Sequence, residues 1–295
     1  MGKVGIEINP ENIIISPLHE DFLTEKNIQL DILRLDLIHP MISGNKWFKL
    51  QYNIHEAIEQ QARSLLSFGG AWSNHLHALA YAGKLFNLKT IGIIRGEEIS
   101  NPTLDDCKAW GMKLHFISRE EYRHKSEQHF LESIQQEFYN SFIIPEGGNN
   151  KEGRQGAAEI LTHTDPEKYT HIVCPVGTGT TLSGLIESSL PSNRVIGISA
   201  IKKGQYLEDE IRSVTTKTNW SVEHDFHFGG FAKKTPELLL FMQEFKSRHD
   251  IELDFIYNAK MMFGVYDMTR HQRIGSGSRI LVIHTGGLQG NRSLS

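Results

Sequence analysis

The five residues with the clearest chemical signal stand together between an apolar run and a helical pattern. They are Gly177, Thr178, Gly179, Thr180 and Thr181. Glycines and threonines at the start of a helix can direct backbone N–H groups and hydroxyls at a phosphate. Neither the Walker loop nor GxGxxG fits the spacing. The segment therefore predicts a phosphate group that is bound and not transferred, with an ordinary strand-to-helix turn as the alternative.

Two lysines three residues apart, Lys46 and Lys49, follow a Gly-containing turn that opens a predicted helix. A lysine at a helix N-terminus feels a positive potential that disfavours its own charge. The neutral amine that results is the form needed for a Schiff base. The alternative is that both lysines are ordinary solvated surface residues.

Two other polar segments follow predicted strands, where open parallel sheets bind ligands. One contains Ser73 and Asn74, and the other is His-Thr-Gly-Gly at residues 284–287. The alternatives are a helix cap for the first and a C-terminal turn for the second. No metal pair is expected at His75 and His77, because residues two apart on a helix diverge.

Short apolar runs that alternate with amphipathic segments must position these residues. Such alternation indicates parallel sheets covered by helices, and hence an α/β protein with two parallel-sheet domains. The predicted strands are 64–68, 90–94, 112–117, 142–144, 171–174, 194–199 and 279–283. The predicted helices are 73–86, one that begins near Ser100 and Pro102 and ends before Gly111, 120–139, 153–163, one from about 182, 236–248 capped by Thr235, and 260–270.

Composition narrows the classes of ligand and the compartment. The chain has 295 residues, with 31 basic and 35 acidic side chains and a net charge of −4. Without a basic block, neither a nucleic acid nor an anionic membrane is expected as a partner. The two cysteines, Cys107 and Cys174, lack the spacing of a metal site or of a disulfide framework. We therefore expect no metal, no membrane span and a cytoplasmic location.

Taken together and in this order, these segments resemble the fold-type II pyridoxal phosphate enzymes, in the family of 1-aminocyclopropane-1-carboxylate deaminase and D-cysteine desulfhydrase. Further matching pieces are residues 34–40, 43–46, 145–149, and Tyr257 with Lys260. The resemblance implies two open parallel-sheet α/β domains of the tryptophan synthase β type, with the cofactor in the cleft between them. Residues 1–49 and 149–295 would form the larger cofactor-binding domain and residues 50–148 the smaller one. A homodimer is also implied.

The same resemblance assigns roles to individual residues. Lys46 would form the Schiff base with the cofactor and carry a proton, whereas Lys49 would be its neighbour. Asn74 would bind the cofactor 3′-oxygen, residues 177–181 its phosphate, and Thr285 would lie near the pyridine nitrogen. Ser73 and Tyr257 would bind the substrate carboxylate or move a proton. A neutral hydroxyl at the pyridine nitrogen predicts a milder electron sink than a carboxylate would give.

Three positions bear on the substrate, which would be a small amino acid. The deaminases have a Glu after the active-site Tyr and a Leu before the final Gly-Gly, where this chain has Asn258 and Thr285. Phe231 stands where the family has a second Tyr. The pattern favours a lyase that converts D-cysteine to pyruvate, ammonia and sulfide by α,β-elimination. The alternatives are 1-aminocyclopropane-1-carboxylate deaminase and, in another class, a non-catalytic binder of a phosphorylated small molecule; a nucleotide-dependent enzyme is disfavoured.

Overall fold

The structure is a computed structural model that describes residues 9–294, and two β-sheets with flanking helices make up this part of the chain. The strands are β1 Ile15–Leu18, β2 Gln29–Arg34, β3 Ser64–Gly69, β4 Lys89–Arg95, β5 Met112–Ile117, β6 Ser141–Ile144, β7 His171–Val176, β8 Arg194–Ser199, β9 Trp220–Glu223 and β10 Arg279–His284. The helices are α1 Asp21–Glu25, α2 Asn45–Glu59, α3 Asn74–Phe86, α4 Pro102–Ala109, α5 Gln128–Glu137, α6 Lys151–Ala158, α7 Thr180–Ser188, α8 Tyr206–Arg212, α9 Pro236–His249 and α10 Asn258–Arg270.

The two sheets confirm the predicted parallel α/β architecture. The smaller has the order β5-β4-β3-β6 and is parallel throughout. The larger has the order β1-β2-β10-β7-β8-β9, and only its edge pair β1 and β2 is antiparallel. The strands of the smaller sheet lie between residues 64 and 144, whereas those of the larger come before 35 and after 170. The domain boundaries near 49 and 149 stay predictions, and residue 49 itself lies inside α2.

Helices cover both faces of each sheet, which explains why the central strands read as continuous apolar runs. All six residues of β3 are buried. Separate apolar clusters lie on the two faces of the larger sheet, and two more lie on the faces of the smaller one. The parallel strands of each sheet end at the same edge of that sheet. The polar segments lie in the loops that follow these strand ends.

Several predicted helix limits hold and others are wrong. Ser73 caps α3 and Thr235 caps α9, as expected. The residue that caps α4 is Asn101 and not Ser100, whose hydroxyl instead donates to the Asp105 carboxylate at 2.9 Å. The predicted helix 120–139 is a 3-10 turn, Glu121–His124, followed by the shorter α5, and the predicted helix 153–163 changes to 3-10 geometry after α6.

Close helix packing fixes the position of α2, the helix that contains Lys46. Helix α6 lies between α2 and α7. A Cβ at Gly156 of α6 would lie 1.7 Å from the Phe48 carbonyl oxygen of α2, and one at Gly184 of α7 would lie 2.5 Å from the Ala157 Cβ. Only glycine permits these approaches, so α6 packs tightly on both α2 and α7, the helix that follows the Gly/Thr loop, and fixes their relative position.

Each sheet has one buried free thiol in its apolar surroundings. Cys107 belongs to α4 beside the smaller sheet, and Cys174 belongs to β7 in the larger one. Burial raises the pKa of the Cys107 thiol to about 12 and also raises the pKa of Cys174. Within residues 9–294, no helix combines the length and apolar character that crossing a bilayer requires.

Candidate active site

The Gly/Thr loop connects β7 to α7 and forms one wall of the site. Gly179 precedes α7 with a φ of +75°, a conformation that favours glycine. Thr180 and Thr181 are buried in the first turn of the helix. The Thr178 and Thr180 hydroxyls lie 3.0 Å apart, and the Thr180 hydroxyl donates to the Asn149 side-chain oxygen at 3.3 Å. The loop thus places hydroxyls and helix N-terminal amides around one small volume.

The crossing segment after β6 packs on this loop. A Cβ at Gly147 would lie 2.8 Å from the Thr178 Cγ2 atom, and Gly147 adopts a φ of +68°. The same segment places Gly148 close to the Lys49 Cβ. Residues that follow β6 of the smaller sheet and β7 of the larger sheet are therefore in contact with each other.

Lys46 lies at the second position of α2, next to the Gly/Thr loop. Its Nζ donates to the Asn45 Oδ1 atom at 2.7 Å, and the Asn45 Nδ2 atom donates to the Thr181 hydroxyl at 2.7 Å. Burial lowers the pKa of the Lys46 amine to about 8, although the Asp254 carboxylate opposes the shift. About a tenth of this amine is consequently neutral at pH 7, which is far more than for an ordinary lysine.

Lys49 is more deeply buried than Lys46, so the alternative of solvated surface lysines is wrong for it. Its side chain is 4% exposed, and burial together with the Lys46 charge lowers its pKa well below the usual value. His75 lies nearby, and burial and both lysines lower its pKa as well. The His75 Nε2 atom is 2.9 Å from the Ser67 hydroxyl. Burial and the positive charge of Lys46 thus both favour a neutral Lys49 amine.

Ser73 and Asn74 lie at the start of α3, opposite the end of β10. The Ser73 hydroxyl accepts from the Leu76 N–H at 3.2 Å and therefore caps α3, as the alternative interpretation expected. This bond leaves the hydroxyl able to make a second contact. The buried Asn74 donates through Nδ2 to the Gly287 carbonyl at 3.3 Å. Among residues 9–294, its Oδ1 atom finds no hydrogen-bond partner. A buried polar atom in this condition requires an external partner.

Thr285 and Tyr257 complete the site from the larger sheet. Thr285 is buried at the end of β10, and the Tyr257 ring lies against Gly177 of the loop. Burial raises the pKa of the Tyr257 phenol, so it is neutral at physiological pH. The half-exposed Phe231 ring packs on Tyr257 at a centroid distance of 5.9 Å.

The structure brings every sequence-predicted site residue to the edge where the two sheets meet. It also adds three residues that had no predicted role, namely Asn45, Asn149 and Asp254. Asn45 and Asn149 occurred in matched motifs, and their polar side chains next to Gly or Lys were an available signal. Nothing in the local pattern around Asp254 indicated its position.

These groups fit one kind of ligand. The loop offers donors to a phosphate, Lys46 offers an amine with a lowered pKa, and Asn74 has an unsatisfied polar atom. A family profile described as pyridoxal-phosphate dependent enzyme matches residues 16–286. The chain belongs to this family. Pyridoxal phosphate is therefore its cofactor, and the fold is that of the fold-type II members.

Relatives of this pyridoxal-phosphate dependent enzyme match most of its length. A protein of Thermotoga maritima, provisionally named a 1-aminocyclopropane-1-carboxylate deaminase, is 30% identical, with 91% of this chain and 92% of the relative covered. The Arabidopsis thaliana mitochondrial bifunctional D-cysteine desulfhydrase/1-aminocyclopropane-1-carboxylate deaminase is 28% identical over 89% of this chain and 73% of its own. A crystal structure described as an ACC deaminase homologue is 26% identical and superposes with a TM-score of 0.82 over 97% and 92% of the two chains.

Proposed function

We propose that the enzyme uses pyridoxal phosphate to eliminate a β-substituent from a small amino acid, with D-cysteine as substrate and pyruvate, ammonia and sulfide as products. One observation carries the proposal. The Lys46 amine, with a pKa of about 8, is connected through the Asn45 side chain to Thr181 of the Gly/Thr loop. A covalent anchor for the cofactor and a cradle for its phosphate are thereby held in fixed relation.

Residues from both sheets would hold the cofactor. Lys46 would carry it covalently, residues 177–181 would bind the phosphate, Asn74 would bind the 3′-oxygen, and Thr285 would face the pyridine nitrogen. When bound, the cofactor supplies an electron-withdrawing ring that stabilises negative charge at the substrate α-carbon. The Asn74 Nδ2 atom donates one N–H to the Gly287 carbonyl, and its second N–H could donate to the 3′-oxygen.

Proton transfer would fall to three side chains. With a pKa of about 8, the Lys46 amine can accept the α-proton and return it within the normal range of pH. The neutral Tyr257 phenol can donate a proton or a hydrogen bond. The Ser73 hydroxyl, at the N-terminus of α3, can bind the substrate carboxylate where the helix end favours negative charge.

The side chains that distinguish possible substrates favour simple elimination. 1-Aminocyclopropane-1-carboxylate has no α-proton, so its ring must open by another route. In this chain the Asn258 amide is already bonded to Asp254, Gly286 and Thr285, and Phe231 has no phenol. Removal of an α-proton by Lys46 needs neither position. The deaminase remains the second candidate, because the relatives' names include that activity.

Assembly and location extend the same proposal. We propose a homodimer in the cytoplasm, which follows from the family resemblance and from the low cysteine content. The remaining alternative, a non-catalytic binder of a phosphorylated compound, would keep residues 177–181 but would not need an amine with a pKa lowered to about 8 at Lys46.

The test is a comparison of substrates under one set of conditions. The holoenzyme is titrated with D-cysteine, L-cysteine, D-serine and 1-aminocyclopropane-1-carboxylate, and sulfide, ammonia and 2-oxo acid are assayed. We expect a larger kcat/KM for D-cysteine than for the cyclopropane, and none for Lys46→Ala with any substrate. Faster release of 2-oxobutyrate from the cyclopropane would favour the deaminase. Failure to turn over any amino acid would favour the binding protein.

A further inference from the structure

A buried carboxylate, Asp254, is connected to Thr285 through the side chain of Asn258. Asp254 is fully buried just before α10. It accepts hydrogen bonds from the backbone N–H groups of Ile256 at 3.0 Å, Tyr257 at 2.8 Å and Asn258 at 3.0 Å, and a fourth from the Asn258 side chain. Burial raises the pKa of the Asp254 carboxyl, while its hydrogen bonds and His284 oppose that shift. Four N–H donors occupy its lone pairs, an arrangement that suits the ionised form.

The neighbours of Asn258 fix the orientation of its amide. The Nδ2 atom donates to the Asp254 carboxylate and, at 2.8 Å, to the Gly286 carbonyl. The Oδ1 atom faces Thr285, where it accepts from the backbone N–H at 2.9 Å and from the hydroxyl at 3.3 Å. A flipped amide would place its oxygen against two acceptors and its N–H groups against a donor. Only one orientation is therefore compatible with the site.

The direction of the Thr285 hydroxyl proton follows from that orientation. A hydroxyl has one proton to donate, and in Thr285 that proton points at the Asn258 oxygen. The Thr285 oxygen can then offer only lone pairs to a further partner. A pyridine nitrogen without a proton is itself an acceptor and could not pair with it, whereas a protonated ring nitrogen could.

We propose that Asn258, held in orientation by Asp254, is a positioning residue that keeps Thr285 a hydrogen-bond acceptor and thereby favours the protonated form of the cofactor ring nitrogen. The inference rests on the proposed function, in which Thr285 faces that nitrogen. It changes the expectation that a hydroxyl at this position leaves the ring a mild electron sink. The Asp254 carboxylate would act on the ring through Thr285, to which two hydrogen bonds connect it by way of Asn258.

Other charged groups around Asp254 belong to the same network. Lys46, Lys260 and His284 each interact electrostatically with its carboxylate. The His284 Nε2 atom is 2.8 Å from the Glu252 carbonyl oxygen and Lys260 donates to the Gly230 carbonyl at 2.7 Å, so neither competes with Asn258 for the Asp254 oxygen that it contacts. The Asn258 position is therefore the one to perturb.

The test measures the protonation state of the ring nitrogen directly, by NMR. Apoprotein is loaded with pyridoxal phosphate labelled with nitrogen-15 in the ring, and the chemical shift of that nitrogen is measured for the wild type, Thr285→Ser, Thr285→Val, Asn258→Leu, Asn258→Ala and Asp254→Asn. Circular dichroism and thermal melting establish folding, and two Asn258 variants are included in case one fails to fold. We expect a pyridinium shift in the wild type and in Thr285→Ser. We expect movement toward unprotonated pyridine in the other four variants.

Each other outcome has a defined meaning. A wild-type nitrogen without a proton would overturn the inference. A shift that responds to Thr285→Val but not to the Asn258 variants would keep Thr285 at the ring and overturn the role of Asn258. A shift that responds to Asn258 but not to Asp254→Asn would remove Asp254 from the network. If no variant moves the shift, Thr285 does not face the ring, and both the inference and that part of the proposed function are wrong.

Discussion

The lowered pKa of Lys46 predicts how the apoprotein captures its cofactor as pH changes. With a pKa of about 8, about 10% of the amine is neutral at pH 7, against about 0.03% for an ordinary lysine. The neutral amine is the nucleophile, and its concentration is thus about 300-fold higher. The rate of capture should rise about tenfold per pH unit below pH 8 and level off above it.

The assay traps the cofactor on the lysine that captured it. Apoprotein is mixed with pyridoxal phosphate between pH 6 and 9.5, the reaction is stopped with borohydride at set times, and the pyridoxyl group is quantified by peptide mapping. N-acetyl-lysine in the same buffers provides the reference. The ratio of the two capture rates cancels the effect of the cofactor's own ionisations. Lys46→Arg should take up no label, whereas Lys49→Met should still be labelled at Lys46.

Two results would refute this reasoning. A rate that keeps rising toward pH 10.5 would mean that burial does not lower the pKa of Lys46. A pyridoxyl group on Lys49 would mean that the more deeply buried amine reaches the cofactor, and the assignment of the anchor would be wrong.

Three further predictions concern the Gly/Thr loop, the packing of α6 on α2 and the buried Lys49. Replacing Thr180 and Thr181 by Val should weaken cofactor retention at equilibrium at least about tenfold, because each hydrogen bond to a charged group contributes about 1.5–3 kcal/mol. Gly156→Ala should cost about 3 kcal/mol and lower the melting temperature by roughly 6 °C or more, since its Cβ would meet the backbone of α2, whereas Gly275→Ala has open space and should be nearly neutral. Lys49→Met should stabilise the apoprotein by on the order of 1 kcal/mol at pH 7.

The effect of Lys49→Met on stability should depend on pH in a defined direction. Its pKa is lower in the folded state than in the unfolded state, so protonation below the unfolded pKa favours unfolding. The gain from Lys49→Met should shrink as pH rises toward 10.5, and a gain that grows would contradict the prediction. Unchanged cofactor retention in the Thr double variant, or equal melting of the two Gly variants, would contradict the others.

The sequence predicted best those elements whose pattern is set by burial on both faces. Strands β3 and β8 lie in sheet interiors, and their limits agree with the prediction to within a residue. The edge strand β5 also agrees, because apolar and polar residues alternate along it. The edge strands β1 and β9 and the interior strand β2 went unpredicted, because partly exposed residues interrupt their apolar runs.

The same reasoning separates the predicted from the unpredicted parts of the site. Residues 177–181 could be predicted from the sequence because a short segment contains the whole chemical unit, whereas Lys46 was distinguished from Lys49 only by the family resemblance. Asp254 could not, because its significance depends on Asn258 and then on Thr285, which is 27 residues further on and on another element. Likewise, the helix cap Asn101 competed with Ser100, an equally suitable neighbour. Local patterns identify the donors, and only the fold decides which of them pair.

Each sheet contains one buried thiol, and the reactivity of that thiol reports local unfolding of its sheet. Cys107 and Cys174 have raised pKa values in the folded protein, so an alkylating reagent can modify either one only after its surroundings have opened. The time course of labelling at each thiol therefore measures the opening of one sheet independently of the other. A ligand that links the two sheets should slow both rates together, and one that contacts a single sheet should protect a single cysteine.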